Sequence, residues 1–312
     1  MATTATRSGV PNGDLFAVGV PSYARRVPRG AGGLLACVLA LLAGCPAATV
    51  DLSTALPQSD TRPTAYDDAD WETVLRENVK DDLVDYERLK ANDAPLLRYL
   101  ALVSSIGPQT QLDSFKTRSQ RLAYFVNVYN AAVLRAVLQA GIPATMHDPL
   151  QSNLETGYRL RVDGRAVTLG ELRQLAESEA AGDVRVWFYL CDAARGSPPL
   201  RAQPLRADSL DQQLLDAARD AMNNPAMVRV DYEEEALLVS FVIASHRDEF
   251  LDYYRRQTGA TGSMLSALSL LANTARREHF NTGIGYGERI LPFDRGLNLW
   301  SPPSPATAPV VY

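Results

Sequence analysis

The chain reads as an α+β protein with a single domain over residues 69–300, a helical N-terminal half and a small, mostly antiparallel sheet. Three observations predict this. Apolar residues recur at helical spacing from Trp71 to Val137. Asp163-Gly164 lies between two β-rich runs, the strongest short hairpin signal in the chain. Further β-rich runs follow, then two more helical segments, so helices and strands are grouped rather than strictly alternating. At 312 residues, 46% hydrophobic and 21% charged, the chain can bury a large core, which excludes a disordered, collagenous or polytopic membrane protein.

Trp71, Val74, Leu75 and Val79 share one helical face behind Asp68 and Asp70, which are placed to cap it. A second helix follows Asp93, with Leu96, Leu97, Leu100 and Val103 on one face. A third, roughly 119–140, is apolar on most sides and so belongs at the centre of the core. Tyr158–Val162 and Val167 form the hairpin around Asp163-Gly164, and Thr168 opens a helix reaching about Ala180. Val184–Leu190 becomes continuously apolar, as an interior strand does. Ser209 and Gln212 form the pattern of a capping box before Leu210 and Leu214. Strands are expected at 227–230 and 236–240, with helices at about 245–257 and 263–279. The Pro/Ser/Ala-rich residues 301–312 read as a disordered tail.

The N-terminus carries an address. Arg25, Arg26 and Arg29 precede the apolar run Leu34–Leu42, too short to span a bilayer, which ends in Ala43-Gly44-Cys45. Leu42-Ala43-Gly44-Cys45 resembles the bacterial lipobox. That resemblance implies a signal segment over 1–44, of which 1–24 reads as an upstream start-codon extension, and an acylated Cys45 that holds the protein on a bilayer. Pro46, not an acidic residue, follows the cysteine, which favours the outer membrane with the domain facing the periplasm. Residues 45–68, with Pro57 and Pro63, read as a flexible tether. Without residues 1–44 the chain loses four arginines and one aspartate, leaving 27 basic against 35 acidic residues and a net charge of −8. A body this acidic suits neither nucleic acid nor electrostatic adhesion to anionic lipid, so the acyl chains carry the attachment.

Only Cys37, Cys45 and Cys191 occur, which excludes a disulfide scaffold. Cys191, at the end of the apolar run, is the one free thiol left to the mature chain, and its ordinary fate is that of a small buried hydrophobe. Catalytic use needs a base, but His147, His246 and His279 all lie far from it in sequence. No metal or other cofactor is expected: His246-Arg-Asp248-Glu249 and Glu278-His279 have no matching second cluster. Thr282–Gly287 is glycine-rich but follows no strand, so it reads as a loop, and Asp81-Asp82 and Glu233–Glu235 read as solvated faces or turns.

Trp71…Val74-Leu75…Val79, Ala123-Tyr-Phe-Val-Asn127-Val-Tyr-Asn130-Ala131, Arg185-Val-Trp-Phe-Tyr-Leu-Cys191 with Pro198-Pro199-Leu200, and Pro292-Phe-Asp294-Arg-Gly-Leu-Asn298 occur in that order. Together they resemble domain-of-unknown-function family 547 over about 70–298. The resemblance implies a cysteine-protease-like constellation in which Cys191 is the nucleophile and Asn127 the orienting residue. Trp187 stands where the family's segment has histidine, Arg173-Gln174 where it has Glu-His, and Ser197 where it has a second cysteine. A thiol without an imidazole partner stays protonated at neutral pH. The expectation is therefore a non-catalytic, outer-membrane-anchored periplasmic domain that binds an envelope protein or small ligand through the old cleft. The alternative is a cysteine-dependent hydrolase or transferase acting on peptide or amide bonds, with Cys191 served by a remote histidine.

Overall fold

Helical periodicity between Trp71 and Val137 becomes four helices: α1 (Ala69–Asn78), α2 (Tyr86–Ala91), α3 (Ala94–Ser105) and α4 (Arg118–Gln139). The structure, a computed structural model, describes residues 49–54, 56–57, 63–146 and 154–302. The signal segment, Cys37, Cys45, His147 and residues 303–312 lie outside the described residues. The described residues all belong to one compact unit. Among the described residues no helix is long and apolar enough to cross a membrane.

Helix α4 begins at a complete capping box, in which Thr117 accepts from the Gln120 N–H and Gln120 reaches back to the Thr117 backbone. Its residues from Leu122 to Leu134 are all buried, as its nearly uniform apolarity requires. The expected acidic caps are not made. Asp68 directs its carboxylate to Arg206 at 3.2 Å and Asp70 accepts from Arg98 Nε at 3.0 Å, so each joins separate segments instead of closing the helix end. Asp81 and Asp82 take positive φ (49° and 64°) in the tight turn between β2 (Val79–Lys80) and β3 (Leu83–Val84), a small antiparallel hairpin.

The Asp163-Gly164 hairpin forms as expected between β4 (Tyr158–Val162) and β5 (Arg165–Thr168), with φ of 52° and 79° at the turn. Asp163 is buried there, and its carboxylate accepts from the backbone N–H groups of Gln109 and Thr110 at 2.6 and 2.9 Å. Part of the expected tether is structural. β1 (Val50–Asp51) pairs in parallel with β4, Leu52 is buried, and Tyr66 packs against Tyr99, Phe115 and Tyr124. Composition concealed this because a two-residue strand needs only one neighbour's backbone, not an apolar run. Thr168 and Glu171 form a second capping box at the start of α5 (Leu169–Ala180), which packs extensively against α4.

Val184–Leu190 is not a strand. Val184–Phe188 forms a 3-10 helix opened by Asp183, whose carboxylate accepts from the Arg185 N–H at 3.1 Å. It packs against α5, α6 (Leu210–Asn223) and α8 (Arg247–Thr258), so its apolar residues are buried by helices and have no sheet to join. Short apolar runs of this kind fit either state by pattern. The Ser209 capping box is also absent: Ser209 Oγ lies 3.1 Å from Gln213 Oε1, and Gln213 ties the preceding loop by accepting from the Arg206 N–H at 2.8 Å.

β6 (Val228–Asp231) and β7 (Ala236–Val239) form the second expected hairpin, and β8 (Gly287–Ile290) adds to β7 in parallel. The two three-stranded sheets are thus mixed and the third sheet is antiparallel. After the short α7 (Phe241–Ser245) and α8, the helix expected over 263–279 is two, α9 (Met264–Leu271) and α10 (Thr274–Asn281). Asn273 separates them by accepting from the Arg276 N–H at 2.9 Å, which starts a new helix. These elements are α+β in class.

Candidate functional site

The 3-10 helix after α5 carries Trp187, and the residues just after it bring Cys191 and Asp192 beside the middle of α4. Asn130 on α4 fixes the chain there: its Oδ1 accepts from the Cys191 N–H at 3.0 Å and its Nδ2 donates to the Tyr189 carbonyl at 2.9 Å. The adjacent Tyr129 hydroxyl donates to Asp192 Oδ1 at 2.6 Å and accepts from Arg173 Nη2 at 2.6 Å. Arg173, from α5, also bonds Asp192 directly. Burial, reinforced by the Asp192 charge, pushes the Tyr129 hydroxyl well above the usual phenol range, so it remains a donor.

The Cys191 thiol takes no part in the hydrogen bonds of this polar triad. The residue is 2% exposed, and its Sγ accepts from Asn298 Nδ2 at 3.5 Å. Asn298 is held in turn by the Tyr86 hydroxyl, which donates to its Oδ1 at 2.8 Å. Burial pushes the thiol up to about 12; the Asp192 charge adds to this, and hydrogen bonds from Ala193, Ser197 and Asn298 only partly offset it. Among the described residues no histidine bonds the thiol. His246 Nδ1 is engaged by Glu249 at 3.1 Å, and His279 Nδ1 by the Tyr232 hydroxyl at 3.2 Å.

Asn127 does not meet Cys191 through any hydrogen bond. Its Oδ1 accepts from Trp71 Nε1 at 3.3 Å and from the Leu205 N–H at 2.9 Å, while its Nδ2 donates to the Leu205 carbonyl at 2.9 Å. These contacts fasten α1 and the loop before α6 to α4. The asparagine at Cys191 is Asn130, three residues further along the same helix.

An open cleft of about 300 Å³ lies beside the triad. Its polar walls are Arg173, Asp192, His246 and Arg295, and its apolar walls include Trp187, Leu190, Phe241 and Phe293. Leu190 and Asp192 line it, but Cys191 does not. Trp187 and His246 stack face to face with ring centroids 3.5 Å apart and planes 16° apart. Glu249 secures both rings, accepting from Trp187 Nε1 at 2.9 Å through one oxygen and facing His246 Nδ1 with the other. The site therefore contains an imidazole, brought by the junction of α7 and α8. Phe241 stands 55% exposed at the cleft, with its ring edge-on to Phe293.

His246 and Glu249 carry a signal that sequence could have supplied, since positions i and i+3 share a helix face. Their meeting with Trp187, and that of Tyr129, Arg173 and Asp192, carries none, because it depends on how three segments pack. Among the described residues no group of three or more His, Cys, Asp or Glu side chains could hold a metal ion.

Residues 112–220 match a family model described as protein of unknown function, DUF547. The match takes in α4, the β4–β5 hairpin, α5, the 3-10 helix with Trp187 and Cys191, and most of α6. No curated protein matches the chain, and no solved structure does.

Proposed function

The chain belongs to the DUF547 family through residues 112–220, and from that premise we propose that it is a non-catalytic binding domain, anchored to the bacterial outer membrane through acylated Cys45 and facing the periplasm. One observation carries the binding half of this reading. The thiol that the family resemblance nominates is buried and held protonated, while the adjacent cleft is walled by fixed aromatic and charged side chains. A nucleophile must be ionised and must reach its substrate, and Cys191 meets neither need. A pocket with an apolar wall and a few converging polar groups has the form of a small-molecule site.

Turnover of peptide and amide reporters tests the absence of catalysis. The full chain and its Cys191→Ala variant are expected to give the same rate as buffer. Turnover that disappears in Cys191→Ala would instead establish a cysteine-dependent hydrolase or transferase. The Leu42-Ala43-Gly44-Cys45 motif supports the anchor. Cells fed a labelled fatty acid are expected to label the wild-type chain and not Cys45→Ala, and equal labelling of both would remove the anchor.

A further inference from the structure

We propose that the cleft beside Trp187 takes an uncharged saccharide ring, with its hydroxyls on the polar wall and a C–H face on Phe241. This rests on the binding reading above and names the chemistry of its ligand. Three features of the walls argue for it. The first is that the charges of the lining are already matched. Arg173 bonds Asp192 and lies 3.7 Å from Glu155, and Glu177 interacts electrostatically with both Arg173 and His246. Glu249 engages His246 at Nδ1, and Arg295 has a partner of its own. An ionic ligand would have to displace one of these partners and shed its own hydration, so the wall favours a neutral molecule.

The second feature is the hydrogen-bonding capacity that remains. Asp192 spends Oδ1 on Tyr129 and Arg173, and its Oδ2 bonds none of the described residues. In the neutral His246 ring Nδ1 donates to Glu249, which makes Nε2 an acceptor. The Ser245 hydroxyl, on the same lining, both donates and accepts and has no partner among the described residues. These groups come from two segments, the residues after the 3-10 helix and the junction of α7 and α8. They call for a neutral ligand with hydroxyls in more than one direction. The third feature is the apolar wall. Phe241, exposed at 55% and edge-on to Phe293, offers a ring face on the same cleft. The negative face of an aromatic ring attracts positively polarised C–H groups, and a pyranose has these on its faces with hydroxyls around its rim. A simple phenol would cover Phe241 but brings one hydroxyl for two segments. At about 300 Å³ the cleft is at the small end of ligand pockets, enough for one ring. The stacked pair and the Tyr129–Arg173–Asp192 triad are hydrogen-bonded in place, so binding has little left to order.

The test is saturation-transfer NMR titration of the full chain with the methyl glycosides of glucose, galactose, mannose and N-acetylglucosamine. Phenol and the permethylated form of each glycoside serve as comparisons. At least one glycoside is expected to bind tenfold or more tighter than its permethylated form and than phenol. Phe241→Ala is expected to weaken that glycoside at least fivefold and Ser245→Ala at least twofold. Both side chains are exposed, and circular dichroism confirms that the variants fold. Tyr232→Ala, exposed and not on the lining, is expected to leave binding unchanged. Phenol or a permethylated form binding as tightly as every glycoside would overturn the saccharide assignment and leave a binding cleft. Glycoside binding that survives Phe241→Ala undiminished would place the ligand elsewhere and overturn the assignment too. Failure of all the probes at tens of millimolar would remove both this assignment and the binding reading of the cleft.

Discussion

Asp192→Ala is expected to cost the domain about 3–5 kcal/mol, because it leaves the Arg173 guanidinium largely buried without its closest counter-charge. The Arg173 side chain is 17% exposed and that of Asp192 25%, so water replaces the lost partner poorly. Tyr129 loses its acceptor in the same step, since its hydroxyl donates to the Asp192 oxygen that Arg173 also binds. Glu155 also pairs with Arg173, but it lies at 3.7 Å and is 58% exposed, which makes it a weak substitute. For a domain of this size the loss corresponds to a fall in Tm of roughly 10 °C. The double variant Arg173→Met/Asp192→Leu is expected to recover most of the stability, because removing both charges removes the desolvation cost with them. Urea unfolding of the three chains measures this. A loss below about 1 kcal/mol for Asp192→Ala would mean that the pair behaves as a surface ion pair.

Much of the fold was legible where a local rule and the tertiary environment agree. Apolar residues on nearly every side of 119–140 required a central helix, and α4 is buried over most of its length. Asp163-Gly164 required a turn with positive φ, and Thr168 a helix start; both are present. The reading failed where one pattern serves two structures. Val184–Leu190 has the composition of an interior strand, but three helices bury it and a 3-10 turn satisfies its backbone. Strands β1 and β8 pair in parallel with distant partners, a relation that leaves no periodic trace in two- and four-residue segments.

The site was legible in part, for the same reason. Tyr129, Asn130 and Trp187 stand in the segments that carry the family resemblance, Asp192 directly follows one of them, and α4 and the 3-10 helix bring those segments together. Which asparagine faces Cys191 depended on a difference of three residues along one helix, and the structure has Asn130 there and Asn127 at Leu205. Trp187 left the 3-10 helix without an imidazole of its own, yet His246 supplies one from 59 residues away in sequence by stacking on the tryptophan ring. No spacing rule reports a contact made across that much chain.

The burial of Cys191 has two measurable consequences. A shift from 9.0 to about 12 lowers the thiolate fraction at pH 8 roughly a thousandfold, and exclusion of reagent from a residue 2% exposed lowers reactivity further. The sign of the linked stability follows. Because the folded value is raised, the stabilisation is complete below pH 9 and is lost as pH rises from there through about 12.

The labelling rate of Cys191 with iodoacetamide between pH 5 and 9, read at that residue by mass spectrometry on the full native chain, tests the account most directly. The account predicts negligible labelling across the whole range, and rapid labelling at pH 8–9 once the chain is unfolded in urea. Rapid labelling of the native chain, with an inflection well below the ordinary thiol range of about 8.5, would contradict it and make Cys191 an activated nucleophile.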